Sequence, residues 1–457
     1  MSNFSISCLP VETQAYILSK LDGRTSAVAK KVCTLWNEII TGFETCMHFW
    51  MRCCLREIPP YTLVELTRLM QLSGGRESTL VQQAADWKTA VESNLHWMYW
   101  KQVYAEYWRY RYIEHGVEKR IELHFYPTHG QVRCLYVQDN VIYVGHESGE
   151  VISWRNMEDN LEFRVLYKHH RRVTDITGLD MVMPTKDILN GEFVNKIVSS
   201  SMDTRLILYN LNTKKSNTIQ HYSKQVNCVR SWGHHFVAAA DRSILQGQPI
   251  WRSSHRSTTD TKKLCTVFSQ SIADMTAVAF WEDTVVAGDL FGSLYTWSDC
   301  LGCDQQDKQD MTYITNLGSC IKSIFLLGKR IICYTSDGFL NVSKDKEDVF
   351  EAHNIYKCLY KTPECVAYKG SVLAIGCRFG AVYLYHLPLD KDWNCLNIAK
   401  PTRVIQTSQE HIHALAIDDD GDGPFIVIAT ESYSILIVQF RRHNVMLQTT
   451  TSHVRER

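Results

Sequence analysis

Residues 141–154 read VIYVGHESGEVISW: a short apolar run, a turn on Ser148 and Gly149, then a strand whose apolar and polar residues alternate up to Trp154. Period-two alternation is the mark of a half-buried strand, and two such runs around a tight turn signal a hairpin. The turn and second strand of this phrase (SGEVISW) return at Asp203 (DTRLILY), Asp241 (DRSILQG), Phe291 (FGSLYTW), Asp337 (DGFLNVS), Phe379 (FGAVYLY) and Ser432 (SYSILIV). The starts lie 55, 38, 50, 46, 42 and 53 residues apart, which is the spacing of propeller blades.

Working outward, each phrase is preceded by a short apolar strand: VIYVG, KIVSS, FVAAA, TVVAG, RIICY, VLAIG and FIVIA. Before each of those lies another: VRCLYV, VTDIT, VNCVRS, MTAVAF, IKSIFL, ECVAY and IHALAI. Inner strands rich in Val, Ile, Ala and Cys, tight turns and an outer aromatic strand describe four-stranded blades packed face to face around an axis. Seven phrases point to seven blades, with six or eight as the alternatives. A ring must close, or its terminal blades expose an unpaired edge. RIELHFY (120–126) is expected to supply the outer strand of the last blade, with NVMLQTT (444–450) as the alternative closer.

This architecture resembles the WD-repeat family over residues 120–457. The signature dipeptide is degenerate: Trp154-Arg155, Tyr209-Asn210 and Trp297-Ser298 stand where Trp-Asp is expected.

The N-terminal region is of another kind. In LPVETQAYILSKLDGRTSAVAKKVCTLW (9–36), Pro10 suits the first turn of a helix and Glu12 lies near the positive end of its dipole. Ile17, Leu18 and Leu21 share one helical face; after the Asp22-Gly23 break, Val28, Val32, Trp36 and Ile39 recur at three- and four-residue spacing. On periodicity alone, these helices either cover the domain behind them or are completed by a partner. The stretch also resembles an F-box, in the positions of Leu9, Pro10, Glu12, Ile17, Leu18, Leu21, Val28, Val32, Cys33 and Trp36. It departs from that pattern where Thr25-Ser26-Ala27 replaces a leucine and where Phe49-Trp50 follows late. The resemblance implies that these positions pack against a Skp-type adaptor and, through it, join a cullin-RING ubiquitin ligase.

Residues 58–118 are helical in character. Trp97, Trp100, Tyr104, Trp108 and Tyr112 follow three- and four-residue spacing, which is the pattern of a packing face, and Gly74-Gly75 marks a break between helices.

Lys plus Arg equals Asp plus Glu at 49 each, so no global field draws the chain to nucleic acid or anionic lipid. MSNFSISCLP lacks the basic and apolar regions of a secretion signal, and no apolar run is long enough to span a bilayer. A cytoplasmic and/or nuclear protein is expected. Sixteen cysteines are scattered through a long chain; many, such as Cys134 and Cys333, sit in apolar strands and read as reduced, buried thiols. Cys300 and Cys303 make a CxxC without the second ligand pair that a tetrahedral zinc site needs. DDDGDG (418–423) reproduces the first half of a calcium loop, but the closing Glu falls at Ala429, so a solvated hairpin loop is expected. No phosphate-cradling loop, nucleophile elbow or paired metal-binding histidines is present. No cofactor, metal or catalytic residue is expected.

The basic cluster KHHRR (168–172) leads into an inner strand, and loops of that kind open on the face of a propeller that binds ligands. His169, Arg171, Arg205, Arg242 and Arg378 all stand in or beside loops of that face. Arginines gathered there could grip a phosphorylated peptide through bidentate bonds, as phosphodegron-reading relatives do; each is otherwise a solvated or ion-paired surface charge.

The expectation is therefore a mainly β protein with an α-helical N-terminal region: an F-box module with a flanking helix (1–57), a helical linker (58–118) and a seven-bladed WD-type propeller (119–457). It would be the non-catalytic substrate receptor of a Skp–cullin–F-box ligase, with a target protein on the propeller face. The alternatives are a WD-repeat scaffold without a ligase role, and a nucleic-acid binder using the aromatic helix and KHHRR.

Overall fold

The computed structural model describes residues 9–442, except 46, 68–95, 126, 139, 158–159, 180–195, 222–223, 233–234, 248–264, 269–270, 283, 298–311, 345–348 and 408–409. NVMLQTT, Gly74-Gly75 and the Cys300/Cys303 pair lie outside the described residues.

Seven four-stranded antiparallel sheets form a closed ring. The first is a meander of β2 (Val132–Gln138), β3 (Val141–His146), β4 (Glu150–Met157) and β5 (Asn160–Lys168). Blades two to six repeat that order over residues 173–221, 226–268, 275–316, 321–354 and 363–406. The seventh takes three strands from 412–441 and its outermost from β1 (Val117–His124), which pairs with Ser434–Arg441 from Val117↔Arg441 to His124↔Ser434. The ring therefore closes with the strand that the sequence favours, begun three residues earlier. Every recurring phrase is the third strand of a blade.

The blades share two devices. In all seven, the pairing of first and second strands slips by one residue at the second position of the inner strand, leaving Arg133, Thr174, Asn227, Thr276, Lys322, Glu364 and His413 as bulged residues. Three of these reach across to the first carbonyl of the next inner strand. Thr174 Oγ1 donates to Val226 at 2.6 Å, Asn227 Nδ2 to Met275 at 2.6 Å and Thr276 Oγ1 to Ile321 at 2.6 Å. The bulge thus stitches one blade to the next. The second device is the glycine that ends VIYVG, TVVAG and VLAIG: a Cβ at Gly145, Gly288 or Gly376 would stand within 3 Å of Val173, Ile321 or Ile412 of the following blade.

The helices are α1 (Val11–Leu18), α2 (Gly23–Ala29), α3 (Thr34–Glu44), α4 (Met47–Glu57), α5 (Pro60–Thr67), α6 (His96–Arg109) and α7 (Tyr112–His115). They cover the ring face onto which the first-to-second and third-to-fourth strand turns open. Val64 of α5 is buried among Ala277, Trp281, Ile321 and Leu326 of the inner strands, and Glu65 accepts the Gly370 amide with both oxygens at 3.2 Å. At the end of α6, Arg109 forms a two-pronged pair with Asp419 (2.9 and 2.5 Å) while Tyr110 is fully buried against Gly370.

The DDDGDG loop is consequently a docking element and not a solvated hairpin. Asp418 pairs with Lys369 at 2.6 Å, Asp419 with Arg109 and Asp420 with Arg441. All three carboxylates are neutralised by cations of the chain itself. Of the aromatic stripe, Trp100 and Tyr104 are buried against Phe49, Trp50 and Leu63, Trp108 is half-buried against the same cluster and Tyr112 against the core of the last blades, which takes the surface away from the nucleic-acid reading of that helix; the side chain of Trp97 lies outside the described residues. Among the described residues, no helix is long and apolar enough to cross a membrane and no three His, Cys, Asp or Glu side chains are grouped to hold a metal.

Candidate functional site

Two surfaces carry unsatisfied chemistry, and they lie on opposite sides of the molecule. The first is formed by α1–α3. Asp22 caps α2, accepting the Thr25 amide at 2.6 Å, and fixes the break between α1 and α2 that Gly23 permits. Gly23 lies so tightly against Tyr104 and Trp50 that any Cβ would clash. Inside the module, Leu18, Ala29 and Ile40 form a small core completed by Leu21, Trp36, Ile39 and Phe43. Trp36 Nε1 donates to Gln14 at 2.8 Å, and Gln14 Nε2 donates in turn to the Leu9 carbonyl at 2.8 Å.

The expected docking residues therefore divide. Leu18, at 2% exposure, is core, and Leu21 and Trp36 are half-buried against it; these three face the module's own interior. Leu9 is half-buried, whereas Pro10, Glu12, Ile17, Val28, Val32 and Cys33 remain outside. Val28 and Val32 are each 62% exposed, the first near the end of α2 and the second in the turn that follows it. Val11 and Tyr16 are exposed too and were missed, because the sequence alone does not say which side of so short a helix its own module covers. Val28 also borders an open cleft of about 610 Å³ lined by Asp22, Arg24, Thr25, Glu57 and Trp108.

The module is fixed firmly to α4 and α6 behind it. Tyr104 Oη donates to Glu57 at 2.6 Å and accepts the Arg24 amide at 3.0 Å; Glu44 is shared by Lys30 (3.0 Å) and Lys101 (3.2 Å). Glu106, one turn from Tyr110 on α6, has its carboxyl pushed up to about 7 by burial, with Asp419 and Asp418 adding to the effect and Lys369 opposing it.

The second surface is the far face of the ring, where the second-to-third turns and the loops between blades open. Its expected binding residues also divide. His169 is buried: Nδ1 meets Asp203 at 3.1 Å, Nε2 meets Ser199 at 2.8 Å, and Tyr167 donates to the same serine at 2.8 Å. This has the order of a nucleophilic triad, yet Ser199 is fully enclosed, so the network ties the incoming loop to the turn of blade two. Burial holds the His169 imidazole below its ordinary value despite the Asp203 carboxylate. Burial works to raise Asp203, but the His170 amide and the His169 and Arg205 contacts outweigh it and hold the carboxyl low.

Arg171 and Arg242 are exposed and Arg205 is half-buried, its Nε without an acceptor. These three lie on neighbouring blades two and three. Arg378 stands across the ring on blade six, where Glu364 already pairs with it, and so does not join them.

Comparisons with known proteins give one family match and a distant structural likeness. Residues 6–46 match the family model of the F-box domain. The chain is similar to the crystal structure of the computationally designed Ika8 protein, with a TM-score of 0.44 at 12% identity over 68% of this chain and 96% of that one. No curated protein matches the chain.

Proposed function

We propose that this chain is the substrate-recognition subunit of a Skp–cullin–F-box ubiquitin ligase, built on a propeller of WD-repeat type. The observation that carries the reading is the F-box match at residues 6–46 together with Ile17, Val28 and Val32, which stay outside the module's own core. F-box proteins generally act as non-catalytic adaptors, and the chain's part in ubiquitin transfer is positional. The exposed module binds a Skp-type adaptor, the far face of the ring binds a target protein, and α4–α6 set the distance between them.

Rigid attachment supports that division of labour. Holding a target lysine near the charged enzyme raises its effective concentration, and that gain survives only if the connecting element does not swing. The Tyr104–Glu57 and Arg109–Asp419 contacts fix α6 at its middle and at its C-terminal end. On this reading the protein works in the cytoplasm, the nucleus or both.

The test is co-expression of the full chain with a Skp-type adaptor and a cullin, followed by size-exclusion chromatography. Co-elution of the three is expected. A chain that elutes alone, folded and free of adaptor, overturns the ligase reading.

A further inference from the structure

We propose that the corner of the far face formed by Tyr356, Tyr360 and Phe379, with Lys357 and Lys361, is the seat of a short target segment that carries a large aliphatic or aromatic side chain next to acidic ones. This rests on the reading of the ring as the target-binding part.

The corner is built from two pieces. One is α8 (Ile355–Leu359), the link between blades five and six, which buries Ile355 and leaves Tyr356 exposed. Its C-cap, Tyr360, is 83% exposed and sits in the left-handed region at φ 53°, ψ 30°. The other is the turn of blade six, where Phe379 is 56% exposed and also left-handed, at φ 62°, ψ 32°. Lys361 Nζ lies 5.7 Å from the Phe379 ring centre, and the His411 ring lies 6.4 Å from it.

Both left-handed positions are ones that glycine or asparagine fills without steric cost. Bulky aromatics there are outliers, and their rings gain almost nothing in return from burial within the fold. In the corresponding turns of blades one, four and five the residues at the place of Phe379 are Ser148, Phe291 and Asp337, none of which is left-handed; there only the next residue, Gly149, Gly292 or Gly338, takes positive φ, as Gly380 does in blade six. Strained backbone that displays uncovered aromatics is characteristic of binding sites.

Charge selects the occupant. Arg378 is neutralised by Glu364, which His411 also faces at 3.7 Å. Lys357 and Lys361 form no ion pair among the described residues, so the aromatic corner carries uncompensated positive charge. Apolar area beside two free ammonium groups fits a peptide with apolar and carboxylate side chains. A single-stranded RNA would also find rings and lysines there, and its binding is the competing outcome of the test.

The experiment selects a displayed library of short random peptides on the full chain bound to the adaptor, then titrates a labelled enriched peptide by fluorescence anisotropy. Enrichment of Leu, Ile or Phe beside Asp or Glu is expected. Tyr360→Gly with Phe379→Asn is expected to weaken that peptide by about tenfold or more while the thermal midpoint holds or rises, because strain is removed. Lys357→Glu with Lys361→Glu should also lose it and should regain binding to the same peptide with its acids changed to lysine. No enrichment, enriched peptides that bind the variants unchanged, or a labelled single-stranded RNA that binds more tightly than any peptide overturns the proposal. Adaptor co-elution, read on the same samples, reports on the ligase reading separately.

Discussion

Replacing Val28 and Val32 with lysine strikes the exposed part of the F-box module without touching its core. Fully burying a valine side chain is worth about 1.5–3 kcal/mol; with 62% of each residue still open, docking can recover about 1–2 kcal/mol per valine by the same coefficient. The double variant forfeits about 2–4 kcal/mol, a weakening of the adaptor complex by about 30- to 700-fold, before any cost of enclosing two ammonium groups is added. The folded state should be almost indifferent, because surface substitutions of this kind fall within about 0.5 kcal/mol and lysine suits the end of a helix. Leu18→Asp would be a poor substitute, since Leu18 belongs to the module's core and its loss would melt the helices along with any interface. The assay is calorimetric titration of adaptor into wild-type and variant chain, with thermal unfolding as the control. Affinity within about threefold of wild type, at an unchanged midpoint, would refute the assignment of this surface.

Other perturbations probe the parts that hold the two surfaces in place. Arg109→Ala leaves the nearly buried Asp419 carboxylate without its partner and should cost about 3 kcal/mol, seen as a lower midpoint in urea unfolding. Glu106 has a folded-state value raised from the ordinary carboxyl range to about 7, so its protonated form is favoured by folding and the stability tied to it is lost as pH rises through 7. Glu106→Gln should therefore stabilise the chain by about 3 kcal/mol at pH 8 and leave it nearly unchanged at pH 4. His146 behaves in the opposite sense: burial depresses it to about 4, so stability falls as pH drops below 6.5 towards 4, by about 2 kcal/mol at pH 5, and His146→Asn should flatten that slope. Thr276→Val removes the donor to the Ile321 carbonyl and should cost about 1 kcal/mol, while Lys322→Ala at the equivalent place in blade five, whose side chain is exposed, should cost almost nothing.

The ring was legible because its signals are local. Each third strand advertises itself by alternation and by a turn residue at a fixed offset, so SGEVISW and its six counterparts could be found without knowing what packs on what. The closing strand was legible for a related reason: RIELHFY is the strand-like segment that precedes the first blade. What escaped depends on partners distant in sequence. DDDGDG looks like a solvent-facing loop until α6 is seen to bring Arg109 onto Asp419, a pairing across most of the chain. The bulged Thr174, Asn227 and Thr276 are ordinary strand residues until the next blade offers a carbonyl. In α1–α3 the apolar positions were found, but helices of 7 to 11 residues give two plausible inward faces. The choice fell to neighbours such as Ile40 and Phe43, which turned Leu18 and Trp36 inward and left Val28 and Val32 outside. On the far face, the motif KHHRR did not distinguish the histidine that folds the loop from the arginine that faces water.

The pairing of β1 with Ser434–Arg441 has a consequence for biosynthesis. β1 leaves the ribosome ahead of all the other blade strands and must wait, edge bare, until Ser434–Arg441 has been translated before its mate exists. If the proposed ligase role holds, a polypeptide cut short in the last blade would keep the helices that dock the adaptor while presenting an open cylinder, recruiting the ligase with nothing sound to offer it. The natural victim of such a truncated receptor would then be the receptor itself, whose own exposed lysines would be the nearest acceptors of ubiquitin.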